Sequence, residues 1–271
     1  LEDLKSEQLW TQALRDAGID VPEPVLTRDG EGYATTRVYG EQRYVGMLKW
    51  VDGQTMLSLI SDELDVVVTA HRFFQIGELL AQIHNQACHW QPPEDFSRHA
   101  FNAEGLMGEQ PYWGRFWEAR FTNKEERQWL SKARHRVYEV LQRYGENQQV
   151  FSLIHADLHP GNVVVNGERL HIIDFDDAGY GWHQYDLSNA LFDFCEHEQF
   201  ELLRDALFEG YRHHRALSEQ TVSYLPLFLV IRSLASMGWL SDRPEHDERL
   251  SIAKHRAYAM TNLGAALEVC S

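Results

Sequence analysis

At 271 residues, with 44% hydrophobic and 12% aromatic content, the chain is long enough for one large domain or two modest lobes and too apolar to be disordered. Its formal net charge of −16 excludes generic binding to nucleic acid or to an anionic membrane, whose phosphates it would repel. The cysteines, Cys88, Cys195 and Cys270, form no CxxC pair, which excludes a disulfide scaffold or a thiolate zinc site and makes a reducing cytoplasm the expected compartment.

In chain order, "LEDLKSEQLWTQALRDAG" places Leu4, Leu9, Trp10 and Leu14 near helical spacing, with Gly18 as terminator. A turn-rich stretch with two prolines follows. "YATTRVYG" and "QRYVGMLKWV" are strand-like and divided at Gly40 and Glu41, which predicts an antiparallel hairpin. A short linker is expected near residues 51 to 54. From about residue 65 to 145 the pattern is helical. Phe73, Ile76, Leu80 and Ile83 form one stripe, "QPPEDFSRH" is a loop, and two helices are expected between Trp113 and Tyr144. Trp113, Phe116 and Trp117 are expected in the core. Residues 184 to 267 return to helix. Their most apolar run, "YLPLFLVIRSLASMGWL", contains Pro226 and Arg232 and reads as a buried helix, not a membrane span.

The densest polar cluster is "IHADLHPGN", residues 154 to 162, entered by the strand-like "VFSLI" and left through "VVV". A hairpin with Asn166-Gly167 at its turn then returns the chain to "HIIDFDDAG". Such a hairpin lets Asn162 and Asp174 face one site beside Asp157. Carboxylate and amide oxygens suit Mg²⁺, and a separate carboxylate can orient an attacking hydroxyl and take its proton. That is the equipment for phosphoryl transfer from a nucleotide. His155 and His159 are four apart, a spacing that on a helix would suggest zinc, but Pro160-Gly161 and the preceding strand argue against a helix.

"HADLHPGN" followed by "IIDFDDAGYGWHQYDLS" resembles the aminoglycoside phosphotransferase and choline kinase-like family, which has the protein-kinase fold. "GELLAQIH" and "PYWGRFW" add weaker likeness. The resemblance implies an α+β, two-lobed fold, with residues 1–52 as a small N-terminal lobe and hinge and residues 53–271 as a mostly helical second lobe. It implies Asp157 as catalytic base, Asn162 and Asp174 as Mg²⁺ ligands, His159 in a supporting role near the transferred phosphate, and His155 and Asp186 as braces of the loop. Asp176 and Asp177 are carboxylates without an assigned role. In "MLKWVDG" the adenine edge of ATP would meet the carbonyl of Lys49 and the amide of Val51. The acceptor would be a small-molecule hydroxyl, on an aminoglycoside, choline, homoserine or a sugar, bound by residues 90 to 125 and the helical tail after 186.

One departure stands out. The family's small lobe carries a glycine-rich hairpin and a strand lysine that pairs with a helix glutamate, here Glu7. The only lysine before the hinge, Lys5, is on the same helix as Glu7. The expectation is a longer protein whose small lobe is incomplete in this stretch. The alternatives are a catalytically silent nucleotide-binding pseudokinase, a Ser/Thr protein kinase of the same family, and metal-dependent hydrolysis at the His155–Asp157–His159 cluster.

Overall fold

The computed structural model describes residues 2–62, 65–243, 245 and 249–270. Helix α1 (Glu2–Asp16) leads to the antiparallel pair β1 (Tyr33–Val38) and β2 (Glu41–Gly46). A short β3 (Gln54–Thr55) runs into α2 (Met56–Asp62), and α3 (Val66–His89) follows. Next come β4 (Ala100–Phe101), α4 (Ala103–Met107), a 3-10 turn at Phe116–Glu118 and α5 (Lys124–Tyr144). Strands β5 (Phe151–Ile154), β6 (Val163–Asn166), β7 (Arg169–Ile172) and β8 (Gly179–Trp182) carry the polar cluster. The chain ends in α6 (His183–Phe192), α7 (Phe200–His214), α8 (Glu219–Ser223), α9 (Leu225–Ser241) and α10 (Arg249–Val269). The strands form a β1–β2 ribbon and two three-stranded sheets, ordered β3-β6-β7 and β4-β8-β5.

Local chemistry sets the element ends. Asp65 caps α3 by accepting from the Val67 amide. Asn123 and Glu126 make a reciprocal capping box on α5, which Gly145 closes at φ 75°. Both hairpin turns sit one residue away from the expected positions. Val38 pairs with Glu41, so Tyr39 and Gly40 make the first turn, with φ 53° and 86°. Two positive φ values define the hairpin turn whose twist matches the strands. Asn166 pairs with Arg169, so Gly167 and Glu168 make the second.

Two apolar cores flank the polar cluster. One joins α4, α5, α9 and α10, with Trp113, Phe116 and Phe228 buried in it. The other joins α1, α3, α7 and the β6–β7 hairpin, with Trp10, Leu14, Phe73, Ile76, Leu80 and Ile83 buried. Leu9, expected on the buried face of α1, is instead exposed, and Ser6 takes the inward position. The stretch between Trp113 and Tyr144 holds the 3-10 turn and one long helix rather than two helices. Strands β4 and β8 carry too few alternating residues to stand out in the sequence. The linker near residues 51 to 54 is partly strand, because Gln54 and Thr55 pair with Val165 and Val164. By contrast the β1–β2 ribbon is exposed along nearly its whole length, as are Met47, Leu48 and Trp50 after it.

Helices α3 and α7 touch backbone to backbone. A Cβ on Gly77 would lie 2.0 Å from the Leu207 carbonyl oxygen, and one on Gly210 would lie 1.9 Å from that of Phe74. Nothing lies within 4 Å of the corresponding position at Gly264 in α10. Gly77→Ala is therefore expected to destabilise the fold by about 1–3 kcal/mol through overpacking. Gly264→Ala should leave stability unchanged or raise it by roughly 1 kcal/mol through helix propensity. Denaturant midpoints of the two variants check this, and equal effects would refute the backbone contact.

Candidate active site

Strand β5 delivers the chain into a loop whose shape is unusual for its residues. Ala156 has φ 67°, and Asp174, at the end of the returning hairpin, has φ 70°. Non-glycine residues hold such angles only when the surroundings impose them. At Ala156 the imposing group is Asp186. Its carboxylate accepts from the amides of His155, at 3.0 Å, and Ala156, at 2.7 Å. Asn189 donates to the Ala156 carbonyl from one turn further along α6. His84, fully buried on α3, donates its Nε2 proton to Asp186 at 3.1 Å and accepts from the Tyr211 hydroxyl at 2.9 Å. Asp186 is thus a loop brace inside α6, not the N-cap of that helix.

His155 ties the loop to the hairpin. Its Nε2 donates to the Ile173 carbonyl at 3.0 Å, while Nδ1 accepts from the Asp157 amide at 3.3 Å. Burial holds its pKa down, which suits this neutral form. Both ring nitrogens are therefore occupied, which removes the His155–His159 zinc reading. The Ile173 amide donates to the Asn162 carbonyl at 3.0 Å. The strand end before Asp174 is so fastened to both His155 and Asn162.

The cluster itself brings Asp157, His159 and Asn162 together, with Asp174 within electrostatic reach of Asp157 and His159. Asn162, on the 3-10 turn Pro160–Asn162, donates from Nδ2 to the Asp157 carbonyl at 3.0 Å and approaches its Oδ2 at 3.5 Å. His159 accepts the Gly161 amide on Nδ1, and its Nε2 lies 3.7 Å from Asp157 Oδ2. The other oxygen, Oδ1, accepts from Arg232 of α9 at 2.6 Å. Burial opposes the charge on Arg232, but Asp157 and Tyr185 outweigh it and push the guanidinium pKa up. Arg232 has no place among the residues selected from the motif. Its signal was a lone cation inside an apolar run, since a buried charge needs a partner.

Carboxylates crowd the rest of the site. Burial, helped by Asp176 and Asp157, pushes Asp174 up to about 6. Burial and the same two neighbours push Asp177 up to about 7, with Arg232 acting against them. Arg98 clamps the loop behind them by donating to the carbonyls of Asp176 and Ala178, and reaches the Asp3 carbonyl of α1 at 3.1 Å. Glu7 of α1 is half-buried near Arg98, and burial raises its pKa, with Asp176 and Asp174 adding to the rise. It therefore faces the Asp174 loop. Lys49 and Val51 lie outside this cluster, between β2 and β3. The Lys49 amide donates to the Glu23 carbonyl at 2.8 Å, and its ammonium pairs with the Glu23 carboxylate. Among the described residues the Lys49 carbonyl and the Val51 amide enter no hydrogen bond.

A cavity of about 270 Å³ opens against Asp157 and His159. Trp113 lines it from one side and Asp193, Arg232, Trp239 and His255 from the helical tail. Trp113 is thus both core and cavity wall.

The donor set fits a hard divalent cation. With Nδ2 of Asn162 committed to Asp157, its amide oxygen is the atom left for a cation, beside carboxylates that burial and acidic neighbours raise and a cation would stabilise in their charged form. Among the described residues no three His, Cys, Asp or Glu side chains converge to hold a metal by themselves. Two protein oxygens supplemented by phosphate oxygens is the arrangement Mg²⁺ takes in nucleotide sites.

The sequence model of the phosphotransferase enzyme family matches residues 1–219, and the chain belongs to that family. Its fold is the α+β, protein-kinase-like one. Homoserine kinase of Beijerinckia indica is 28% identical over 214 residues, 78% of this chain and 60% of that protein. The chain spans about 60% of the length of that relative and of the homoserine kinase of Sinorhizobium fredii. Among solved structures, a microcompartment-associated aminopropanol kinase superposes with TM-score 0.81 at 27% identity, covering 98% of this chain and 80% of that one. An amicoumacin kinase in complex with AMP-PNP and Ca²⁺ shares the fold, with TM-score 0.79 at 19% identity, covering 97% and 79%. Among the described residues no helix is long and apolar enough to cross a membrane.

Burial holds the Asp186 pKa at about 6, above the ordinary 3.8. The native state therefore binds this proton more tightly than the unfolded chain, and its contribution to stability falls as pH rises between those values. Asp186→Asn should cost about 3 kcal/mol, because an amide cannot accept from all three donors. The loss should be larger near pH 4 than near pH 7. Urea denaturation at both pH values checks this, and a pH-independent loss would refute the burial account.

Proposed function

We propose that the protein is a kinase that moves the terminal phosphate of ATP to a hydroxyl of a small molecule, with Mg²⁺ held by Asn162 and Asp174. The observation that carries this reading is the convergence of Asp157 and Asn162 with the strand end that bears Asp174, fixed by hydrogen bonds through His155, Asn162 and Asp186. Family membership and relatives named as homoserine and aminopropanol kinases support a small-molecule acceptor. Residues 1–52 would form the small lobe and hinge, and residues 53–271 the second lobe. The adenine edge would meet the Lys49 carbonyl and Val51 amide. A cytoplasmic location agrees with the ATP requirement and the free cysteines.

The chemistry asked of the chain is modest. Arg232 fixes Asp157 Oδ1, which leaves Oδ2, facing His159 and Asn162, for the acceptor hydroxyl. Asp157 orients that hydroxyl and takes its proton as the new oxygen–phosphorus bond forms and the bond to the leaving phosphate oxygen breaks. His159 sits beside the same oxygen and supports the transferred group. A bound Mg²⁺ would supply neutralisation of the phosphate charge. Asn162 and Asp174 hold the position at which that neutralisation is needed.

Asp157→Ala should lower kcat by about a thousandfold or more while nucleotide affinity stays within about twofold. Asp174→Ala should weaken Mg-ATP binding itself by roughly 10–100-fold. Single-turnover kinetics and calorimetric titration with Mg-AMP-PNP separate the two. Near-normal turnover in the Asp157 variant would remove the base assignment.

A further inference from the structure

The cavity beside Asp157 has a charge pattern that the phosphoryl-transfer reading leaves unused. Three carboxylates line it: Asp157, Asp177 and Asp193. Only Asp157 has a part in the chemistry. Asp177 and Asp193 come from different elements, the loop after β7 and the end of α6, yet reach the same space. Their cationic neighbours are committed or uncharged. Arg232 is bonded to Asp157 at 2.6 Å. Burial, with Arg232 close by, depresses His255 to about 4, so it is neutral at physiological pH. His159 uses Nδ1 to accept the Gly161 amide and turns Nε2 to Asp157. Among the described residues, no cation lining this cavity is left over for an anionic group on the acceptor.

We propose that Asp177 and Asp193 form an ammonium subsite that selects the acceptor by charge, so that the protein takes a compact amino alcohol and rejects the same molecule bearing a carboxylate. This rests on the phosphotransfer reading and narrows it. An ammonium placed between two carboxylates gains from both, and beside Asp177 it offsets the burial and the nearby Asp176 and Asp157 charges that raise that carboxyl. A carboxylate in the same space meets like charge and, among the described lining residues, finds no uncommitted cation, which is the usual way a site excludes a near-identical competitor. Trp113 and Leu240 give the short carbon chain an apolar wall. The volume, about 270 Å³, lies at the lower edge of the range for small-molecule sites and suits a metabolite of a few carbons, not a multi-ring antibiotic.

The matched pair 3-amino-1-propanol and L-homoserine, which differ only by the carboxylate, tests the proposal, with 1,3-propanediol as the neutral control. With the intact protein and Mg-ATP, kcat/KM for the amino alcohol should exceed that for homoserine by about a hundredfold, and the diol should fall below the amino alcohol by at least about tenfold. Asp193→Asn, at an exposed helix end, should raise KM for the amino alcohol by about tenfold, leave kcat within about twofold, and leave the diol unaffected. Asp177→Asn should act in the same direction. Homoserine used as well as the amino alcohol, or an amine preference that survives both substitutions, would overturn the subsite. Calorimetric binding of both compounds in the presence of Mg-AMP-PNP keeps the two questions apart. If none of them is phosphorylated, the transfer reading fails, while a binding preference for the amine still supports the subsite and its absence overturns it.

Discussion

A single buried carboxylate holds the active loop in a shape it would not adopt alone. Asp186 accepts from two consecutive amides, those of His155 and Ala156, and the second belongs to a residue in the left-handed region. Holding alanine there costs of order 1 kcal/mol or more, and charge-assisted hydrogen bonds to a fully buried carboxylate can outweigh that. Remove the acceptor and the loop has reason to relax, which would turn Asp157 away from Asn162 and Arg232. The brace is itself held from outside: His84 and Tyr211 reach it from α3 and α7, and those helices are pinned by the contact at Gly77 and Gly210. The position of the proposed base thus depends on helix packing that makes no contact with the cavity.

The second organising feature is an excess of negative charge that the protein itself does not neutralise. Asp174 and Asp177 are both raised well above the ordinary carboxylate range, and the first cause in each case is burial, followed by their acidic neighbours. A fold built only for stability would place cations here. Instead Arg232 attends to Asp157, and Arg98 donates to backbone carbonyls behind the cluster. Strain of this kind concentrates where a ligand is to bring the missing charge.

Much of this was legible in the sequence, and the failures have physical reasons. The strand–loop–hairpin carrying Asp157, Asn162 and Asp174 announced itself because apolar runs of strand length bracket polar residues with turn-forming Pro160, Gly161 and Gly167. The stripe at Phe73, Ile76, Leu80 and Ile83 was equally plain, since a long helix repeats its period. Strand β8, with two glycines in four residues, offered no alternation to read, although it lies at the centre of its sheet. Both turns were misplaced by one residue: in the first the positive-φ pair is Tyr39 and Gly40, and Tyr39 is a poor candidate on paper, while in the second Gly167 takes positive φ as the first turn residue, not the second. Arg232 was visible as a charge in an apolar helix, but its partner lies 75 residues away in sequence and only tertiary structure joins them. Asp177 had no role to be read from the sequence; its place in the cavity wall comes from the turn of the loop.

The β1–β2 ribbon is the least buried part of the molecule's sheet structure. It buries almost none of its side chains, and a two-stranded ribbon is barely stable by itself. Backbone links from Val25 to Met47 and from Lys49 to Glu23, with the Pro24–Leu48 bridge between them, extend the ladder at its base, and Gln8 of α1 donates to the Gly32 carbonyl at 3.0 Å. Amide protons there should exchange with solvent sooner than those of α3 or α9, because opening them exposes little that was dry. The stretch carrying Lys49 and Val51 is therefore compliant by construction. A nucleotide held there, as proposed, would be gripped by a part that yields easily, and release of spent nucleotide would not require loosening the packed helices around Asp186.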